Sequence, residues 1–176
     1  MPAEILYAGK FLKLMRDGRW EYVQRVTRDH AVIIIGLTPE QEVVLIEQPR
    51  IPAGGHVIEW PAGLVGDSTA TADEALEETA RRELLEETGY AAERFVQIFA
   101  GPPSPGIASE TITWFRAHGL QKLGPGGGEG GENITVHAIP LREVDDWLDR
   151  WQAGGGKVDP KVYAGLYFLL REQPSD

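Results

Sequence analysis

Three glutamates, Glu83, Glu86 and Glu87, stand at spacings i, i+3 and i+4 within the run RELLEETGY at residues 82–90. In a helix these positions fall within an arc of about 100° on one face. Carboxylates that lie so close repel one another and destabilise an isolated helix, so the arrangement makes most sense with a cation between them. Clustered oxygen ligands suit Mg²⁺ or Mn²⁺. The alternative is a solvated acidic helix face, which is what most glutamate-rich helices present.

The ends of this helix can be located from the sequence. Thr71, with Glu74 three residues later, has the pattern of a capping box at the N-terminus. Gly89 follows the last periodic residue, where a left-handed C-cap favours glycine. An apolar stripe at helical spacing lies between them, formed by Ala75, Leu76, Ala80 and Leu84. The pattern predicts a helix from about 72 to about 87, on which Arg82 helps to hold the acidic face in place.

The composition is that of a globular domain with several function classes excluded. The 176 residues, 42% of them apolar, suffice for one domain with a real core. The net charge of −10 argues against a nucleic-acid or membrane surface, since both rely on Lys and Arg. The absence of cysteine excludes disulfides, zinc thiolate sites and a cysteine nucleophile. No signal peptide or long apolar run is recognisable, so we expect a cytoplasmic protein.

Apolar runs and turn residues predict the elements that position the acidic helix. Strands are predicted at residues 5–7, 11–15, 20–26, 31–36, 42–48, 57–60, 95–100, 110–117 and 134–139. Two helices follow, one with an apolar face from Leu141 to Trp151 and one that begins after Asp159-Pro160. The order predicts an α/β fold with a mixed sheet. We divide it into a small N-terminal strand region at 1–29 and a main domain at 30–176.

The residues around the acidic helix resemble the Nudix box, G-x5-E-x7-R-E-U-x-E-E-x-G-U with U apolar. Gly63, Glu74 and the run 82–90 supply its fixed positions, but ten residues instead of five separate Gly63 from Glu74. We interpret the difference as a lengthened loop before the helix. The resemblance implies the Nudix α/β/α sandwich and a hydrolase. It also implies that a divalent metal is held by the carbonyl of Ala62 and by the glutamates of the box, Glu83, Glu86 and Glu87.

Two further segments are similar to those of ADP-ribose pyrophosphatases. The run SPGIASE resembles their S-P-G-x-x-S-E segment, which implies substrate contacts by Ser104, Gly106 and Glu110. The run EQPR resembles their E-Q-x-R, in which the arginine contacts the diphosphate. Arg50 suits that role because a guanidinium can donate two hydrogen bonds to phosphate. Its alternative is an ordinary surface arginine.

Trp20 is a candidate for contact with the base of a nucleotide. In the related enzymes, aromatic side chains of the N-terminal strand region stack on adenine, partly across a dimer. By this resemblance Trp20 would contact the substrate, and the protein would be a homodimer built through its N-terminal strands. The alternative is a half-buried strand residue.

A glycine-rich loop at residues 124–133 precedes the last predicted strand. In the related enzymes a mobile loop at this place supplies the general base. The family's E-x-E-x-I pattern falls on Gly130, Glu132 and Ile134, so the first of its glutamates is missing. We expect Glu132, or otherwise Glu129, to act as the base in a loop that closes over the substrate. The alternative is a solvated linker.

These patterns predict hydrolysis of ADP-ribose, dependent on Mg²⁺ or Mn²⁺, to AMP and ribose 5-phosphate. Glu86 and Arg82 join Glu132 and Glu129 as the residues expected to serve catalysis. The alternatives are a hydrolase of another nucleoside diphosphate sugar, such as GDP-mannose or ADP-glucose, and a catalytically idle sensor of nucleotide sugars.

Overall fold

The computed structural model describes residues 3–66, 71–128 and 131–171. Its strands are β1 (Glu4–Ala8), β2 (Leu12–Asp17), β3 (Trp20–Arg25), β4 (His30–Gly36), β5 (Glu42–Arg50), β6 (Gly55–Glu59), β7 (Ala62–Leu64), β8 (Tyr90–Ala91), β9 (Arg94–Gly101), β10 (Thr111–His118), β11 (Gln121–Lys122), β12 (Thr135–Pro140) and β13 (Lys157–Val158). Its α-helices are α1 (Leu76–Thr88), α2 (Val144–Ala153) and α3 (Pro160–Leu170). None of the helices in these ranges has the length and apolarity to span a membrane.

Two four-stranded sheets form the centre of the molecule. One has the order β7-β4-β10-β9 and is mixed, because β4 and β10 are parallel and the other pairs antiparallel. The other has the order β12-β5-β6-β13, in which β6 and β13 form the parallel pair. The mixed α/β architecture predicted from the sequence is confirmed.

Strand β4 explains how the helices are distributed. Successive side chains of a strand point to opposite faces. Val32 and Ile34 join the apolar cluster that contains α1, whereas Ile33 and Ile35 join the cluster that contains α2 and α3. Since both faces are covered, β4 is apolar from Ala31 to Gly36, as the unbroken run of apolar residues predicted.

The N-terminal strands form a separate antiparallel sheet, β1-β2-β3. It is attached to the rest of the chain through the segment 104–110: Val23 N donates to Ile107 O at 2.8 Å, and Ser109 N donates to Val23 O at 3.1 Å. Several large apolar side chains of this region remain exposed, namely Ile5, Tyr7, Phe11, Leu12, Leu14 and Trp20.

The start of α1 was predicted wrongly, and its end correctly. The helix begins at Leu76 instead of about 72, because residues 71–73 form a turn that Glu74 N closes onto Thr71 O at 2.9 Å. The N-cap is Ala75 and not Thr71, so the predicted capping box does not begin the helix, and the carboxylate of Glu74 is bound by Arg82 within the helix. At the other end Gly89 adopts φ 70°, the left-handed cap that the sequence predicted.

Candidate active site

A cleft of about 490 Å³ opens where β4 and β7 face β5 and β6. This size is within the range of small-molecule sites. Its lining residues are Arg25, Ala31, Val32, Ile33, Gln48, Arg50, Glu59, Ala62, Gly63, Leu64, Glu83, Glu87, Glu110, Ile112, Glu132, Asp159 and Lys161. Of the residues that we predicted for the site, Arg50, Ala62, Glu83, Glu87, Glu110 and Glu132 therefore meet in one cleft.

Arg82 holds the acidic face of α1. Its Nε and Nη2 each lie 3.2 Å from the carboxylate of Glu74, while its Nη1 lies 2.8 Å from Glu83 Oε1 and 2.9 Å from Glu86 Oε2. Burial opposes the charge of Arg82, but the hydrogen bond to Glu74 and the charge of Glu83 outweigh it and raise its pKa above the ordinary value. Arg82 and Glu86 are not among the described residues that line the cleft, but Arg82 binds Glu83, which does line it.

Glu87 is buried at the cleft wall and accepts a hydrogen bond from Ala62 N at 2.9 Å. Burial raises the pKa of Glu87 to about 8; the bond from Ala62 opposes the shift, and the charges of Glu83 and Glu132 add to it. Gly63 gives Glu83 its place, because a Cβ at Gly63 would lie 2.0 Å from the carboxyl carbon of Glu83. Glycine at this position of β7 is thus required by packing.

Among the described residues, six carboxylates but three cations line the cleft. Each cation is paired with an acid on the cleft wall, in the pairs Arg50–Glu59, Arg25–Glu110 and Lys161–Asp159. The remaining acids are Glu83, Glu87 and Glu132, and the first and last of these are close enough to raise the pKa of Glu87. A divalent cation binds clustered carboxylate oxygens and compensates their negative charge.

The acids are not yet arranged around such an ion. In the described part of the chain, no three His, Asp or Glu side chains are grouped as ligands of one metal. The three glutamates are held apart by other contacts, because Arg82 binds Glu83 and Glu86 while the Ala62 amide binds Glu87. The donor set fits Mg²⁺ or Mn²⁺ in charge and in ligand type, and binding requires these carboxylates to exchange part of those contacts for the ion.

Arg50 presents a planar donor to the cleft. Its Nε and Nη2 both lie 2.7 Å from the carboxylate of the buried Glu59, which fixes the guanidinium in a bidentate pair. The hydrogen bonds that Arg50 donates to Glu59 raise the pKa of Arg50, against the effect of burial. Arg25, at the end of β3, also lines the cleft and makes an ion pair with Glu110. The N-terminal sheet therefore contributes a side chain to the cleft of its own chain.

Other predicted residues lie away from the cleft. The backbone carbonyl of Ser104 accepts hydrogen bonds from Ile107 N and Ala108 N at 3.0 Å each, which forms a turn next to β3. Gly106 lies in open space, where an added Cβ would meet nothing within 4 Å. Trp20 is half exposed at the far end of β3, five residues or about 17 Å from Arg25. None of these side chains lines the cleft of its own chain. Glu129 is outside the described residues.

Several lining residues were not predicted: Arg25, Gln48, Glu59, Asp159 and Lys161. Asp159 was recognised only as a helix start, and it does cap α3 by accepting Lys161 N at 2.8 Å. Glu59 was recognised only as part of the predicted strand at 57–60. For Arg25 and Lys161 the sequence carries no signal, because only the topology shows that the end of β3 and the start of α3 lie at the same cleft.

Comparison with known proteins agrees with this geometry. The model of the NUDIX domain matches residues 27–162. The chain is 34% identical to the methanol dehydrogenase activator of Bacillus methanolicus, over 98% of this chain and 92% of that protein. It is 32% identical to the ADP-ribose pyrophosphatase of Bacillus subtilis (68% and 65% covered). It is 34% identical to the GDP-mannose pyrophosphatase of Yersinia enterocolitica (80% and 75% covered).

A solved structure shares the fold. The crystal structure of an ADP compounds hydrolase superposes with a TM-score of 0.70 and covers 97% of this chain and 90% of its own. Its sequence is 18% identical, so the likeness concerns the fold alone.

Proposed function

The chain belongs to the Nudix family of hydrolases, and from that premise we propose that it cleaves the pyrophosphate bond of ADP-ribose to AMP and ribose 5-phosphate. The observation that carries the proposal is the cleft, where acids from α1 and Glu132 face the fixed guanidinium of Arg50. A diphosphate bound between them would meet donors on one side and a metal-binding acidic centre on the other.

We assign Glu83, Glu86, Glu87 and the carbonyl of Ala62 to a divalent ion, Mg²⁺ or Mn²⁺. When bound, such an ion would neutralise charge on the diphosphate. It would also lower the pKa of water, so that hydroxide is available for attack near neutral pH. Arg50 donates to the diphosphate oxygens from its bidentate pair with Glu59. Glu132 accepts the proton of the attacking water. Ala31, Ile33 and Ile112 form an apolar wall that limits access of other water molecules.

The identity of the nucleotide is the less constrained part of the proposal. No aromatic side chain is among the described residues that line the cleft, so the base is not held by stacking there. ADP-ribose is favoured by the S-P-G segment and by a relative named ADP-ribose pyrophosphatase. GDP-mannose is the first alternative, since another relative is named for it. A sensor without turnover is the second, because the loop lacks one family glutamate.

We further propose a homodimer through the N-terminal strand region, residues 1–29. The exposed apolar side chains on β1–β3 support this arrangement, since burial against a second copy would remove them from water. Trp20, which lies far from the cleft of its own chain, would then be available to the substrate bound by the partner. The dimer is tested by the mass of the protein in solution, and a monomer at all concentrations would contradict it.

A regulatory role is a second candidate function. The match to the methanol dehydrogenase activator extends over nearly the whole length of both chains. The chain would then increase the turnover of a dehydrogenase when the two are mixed. Adding the wild-type protein and Glu86→Gln to a methanol dehydrogenase assay tests this role. Stimulation by the wild type alone would support a role that depends on hydrolysis, and an unchanged rate would remove the candidate.

The test of the substrate is product release in the presence of Mg²⁺ from ADP-ribose, ADP-glucose, GDP-mannose and diadenosine polyphosphates, compared as kcat/KM. We expect the highest value for ADP-ribose. A preference for another sugar would keep the chemistry and change the substrate. Tight binding of a nucleotide sugar without cleavage of any would favour the sensor.

A further inference from the structure

The C-terminal end of α1 is capped by residues far away in the sequence. A helix leaves its last four carbonyl oxygens without partners inside the helix, and here they belong to residues 85–88. Each of them accepts a hydrogen bond. The donors are, in chain order of the carbonyls, Gly89 N at 2.8 Å, Gly128 N at 3.0 Å, Gly127 N at 2.8 Å and Lys122 Nζ at 2.7 Å. Two donors therefore come from the glycine-rich loop.

The close approach of this loop requires glycine. Gly126 has φ +71°, and a Cβ there would lie 2.4 Å from the carbonyl carbon of Thr88 and 2.7 Å from Glu87 O. No side chain fits in that space. We name Gly126–Gly128 the capping segment. The loop was expected to be mobile, but this part of it is bonded to α1.

The capping segment also contacts the candidate base. A Cβ at Gly128 would lie 2.3 Å from Glu132 Oε2 and 3.2 Å from Glu132 Cβ, so the side chain of Glu132 packs directly on this glycine. Glu132 in turn lines the cleft together with Glu87. One short piece of backbone thus donates to the carbonyls of Glu86 and Glu87 and supports the carboxylate of Glu132.

We propose that the capping segment is a positioning element that holds Glu132 at a fixed place relative to Glu86 and Glu87, and that it does not open as a lid. The role in catalysis rests on the proposed function, whereas the cap itself does not. In a chain that lacks the first loop glutamate, Glu132 is the described acid of this loop that reaches the cleft, and its side chain packs on the backbone of Gly128.

Amide hydrogen exchange tests the cap without any activity. In the protein free of metal and substrate, we expect the amides of Gly127 and Gly128 to exchange at least on the order of a hundredfold more slowly than in an unfolded chain. Exchange at the unfolded rate would show a mobile loop and overturn the proposal. Because no turnover is measured, this result is independent of whether the hydrolase assignment is right.

Gly126→Ala tests the positioning role, with Gly155→Ala as its matched control. Gly155 also has a positive φ, +87°, but open space around its Cβ, so it reproduces the backbone strain without the clash. We expect Gly126→Ala to lose the protection of Gly127 and to lower kcat on the order of tenfold with KM within about twofold. Gly155→Ala should change neither quantity.

Combination with Glu132→Gln separates positioning from general damage. If the capping segment acts through Glu132, then Gly126→Ala should lower kcat much less in the Glu132→Gln background than in the wild type. An equal loss in both backgrounds would overturn the positioning role. Should Gly126→Ala fail to fold, Gly128→Ala replaces it, because its Cβ would lie 2.3 Å from Glu132 Oε2 and would displace that carboxylate at the end of a flexible side chain. A wild type that cleaves no nucleotide sugar would refute the catalytic role, and the exchange result would still decide the cap.

Discussion

Helices α1 and α2 are similar in composition but differ in what surrounds their acids. Both carry several carboxylates, and both are followed or capped by three glycines. Glu83 and Glu87 of α1 are buried in the cleft, whereas Asp145, Asp146 and Asp149 of α2 are exposed. The α2 helix is thus the solvated acidic face that was the alternative for α1. The comparison teaches that buried contacts, and not the number of acids, distinguish a site from a surface.

The glycine caps differ in the same way. Gly154, Gly155 and Gly156 donate to carbonyls of the helix that they directly follow, those of Arg150, Gln152 and Trp151. The capping segment of α1 follows its helix by almost forty residues and brings Glu132 with it. A local cap affects the stability of its helix, whereas a distant cap also joins two parts of a site.

The largest effect on kcat/KM is expected for an acid of α1, and none for an acid of α2. Glu86→Gln should lower kcat/KM on the order of 10²–10³-fold, because the metal loses an anionic ligand while the shape of the side chain is kept. Asp149→Asn on α2 should leave kcat/KM unchanged. The measurement is steady-state hydrolysis of ADP-ribose with Mg²⁺, with circular dichroism to confirm folding. Unchanged turnover in Glu86→Gln would remove the metal site from this face.

The next effect concerns the acid that the capping segment supports. Glu132→Gln should lower kcat on the order of 10²-fold, the usual contribution of a general base. Glu129→Gln is the control, since the two glutamates share one loop, and it should slow turnover less. The kcat of both variants decides the assignment. The reverse ranking would move the base to Glu129.

A smaller effect on kcat is expected when the arginines of the two helices are replaced. Arg82→Lys should lower kcat about tenfold, because an ammonium cannot bind Glu74, Glu83 and Glu86 with the fixed geometry of a guanidinium. Arg150→Lys, on the exposed face of α2, is expected to match the wild type. Titration with Mn²⁺ provides a second reading, in which Arg82→Lys binds the ion more weakly. Equal behaviour of the two variants would mean that Arg82 does not position the ligands.

The smallest effect on activity is expected for the local cap of α2. A Cβ at Gly156 would lie 2.2 Å from Trp151 Nε1, so Gly156→Ala should destabilise the fold by about 1–3 kcal/mol through overpacking. Its Tm should fall by several degrees while kcat stays that of the wild type. The Tm and kcat of Gly126→Ala are measured beside it. A lower kcat in Gly156→Ala would contradict the claim that the local cap of α2 affects stability alone.

Strong local patterns allowed much of the fold to be predicted. The strand β4 and the C-cap of α1 follow from an unbroken apolar run and from a glycine after a helical stripe. The start of α1 could not be predicted in this way, since the residues that matched a capping box form a turn, closed by Glu74 N on Thr71 O, that precedes the helix. Short strands such as β7 and β13 have too few residues to show a period.

The candidate site was predictable only where residues form a contiguous pattern. Glu83, Glu87 and Arg50 lie in such patterns and do line the cleft. Arg25 and Lys161 belong to no pattern, and they reach the cleft because the topology brings β3 and α3 together there. The capping segment shows the same limit, because a run of glycines does not reveal which carbonyls its amides will bind.

The most direct test of the account is hydrolysis of ADP-ribose by the wild-type protein with Mg²⁺, after removal of metal with EDTA, and again after Mg²⁺ is restored. The account predicts AMP and ribose 5-phosphate as products, loss of activity on chelation, full recovery with excess Mg²⁺, and little activity of Glu86→Gln under any of these conditions. Hydrolysis that persists in EDTA, or that Glu86→Gln retains in full, would contradict a metal site on α1.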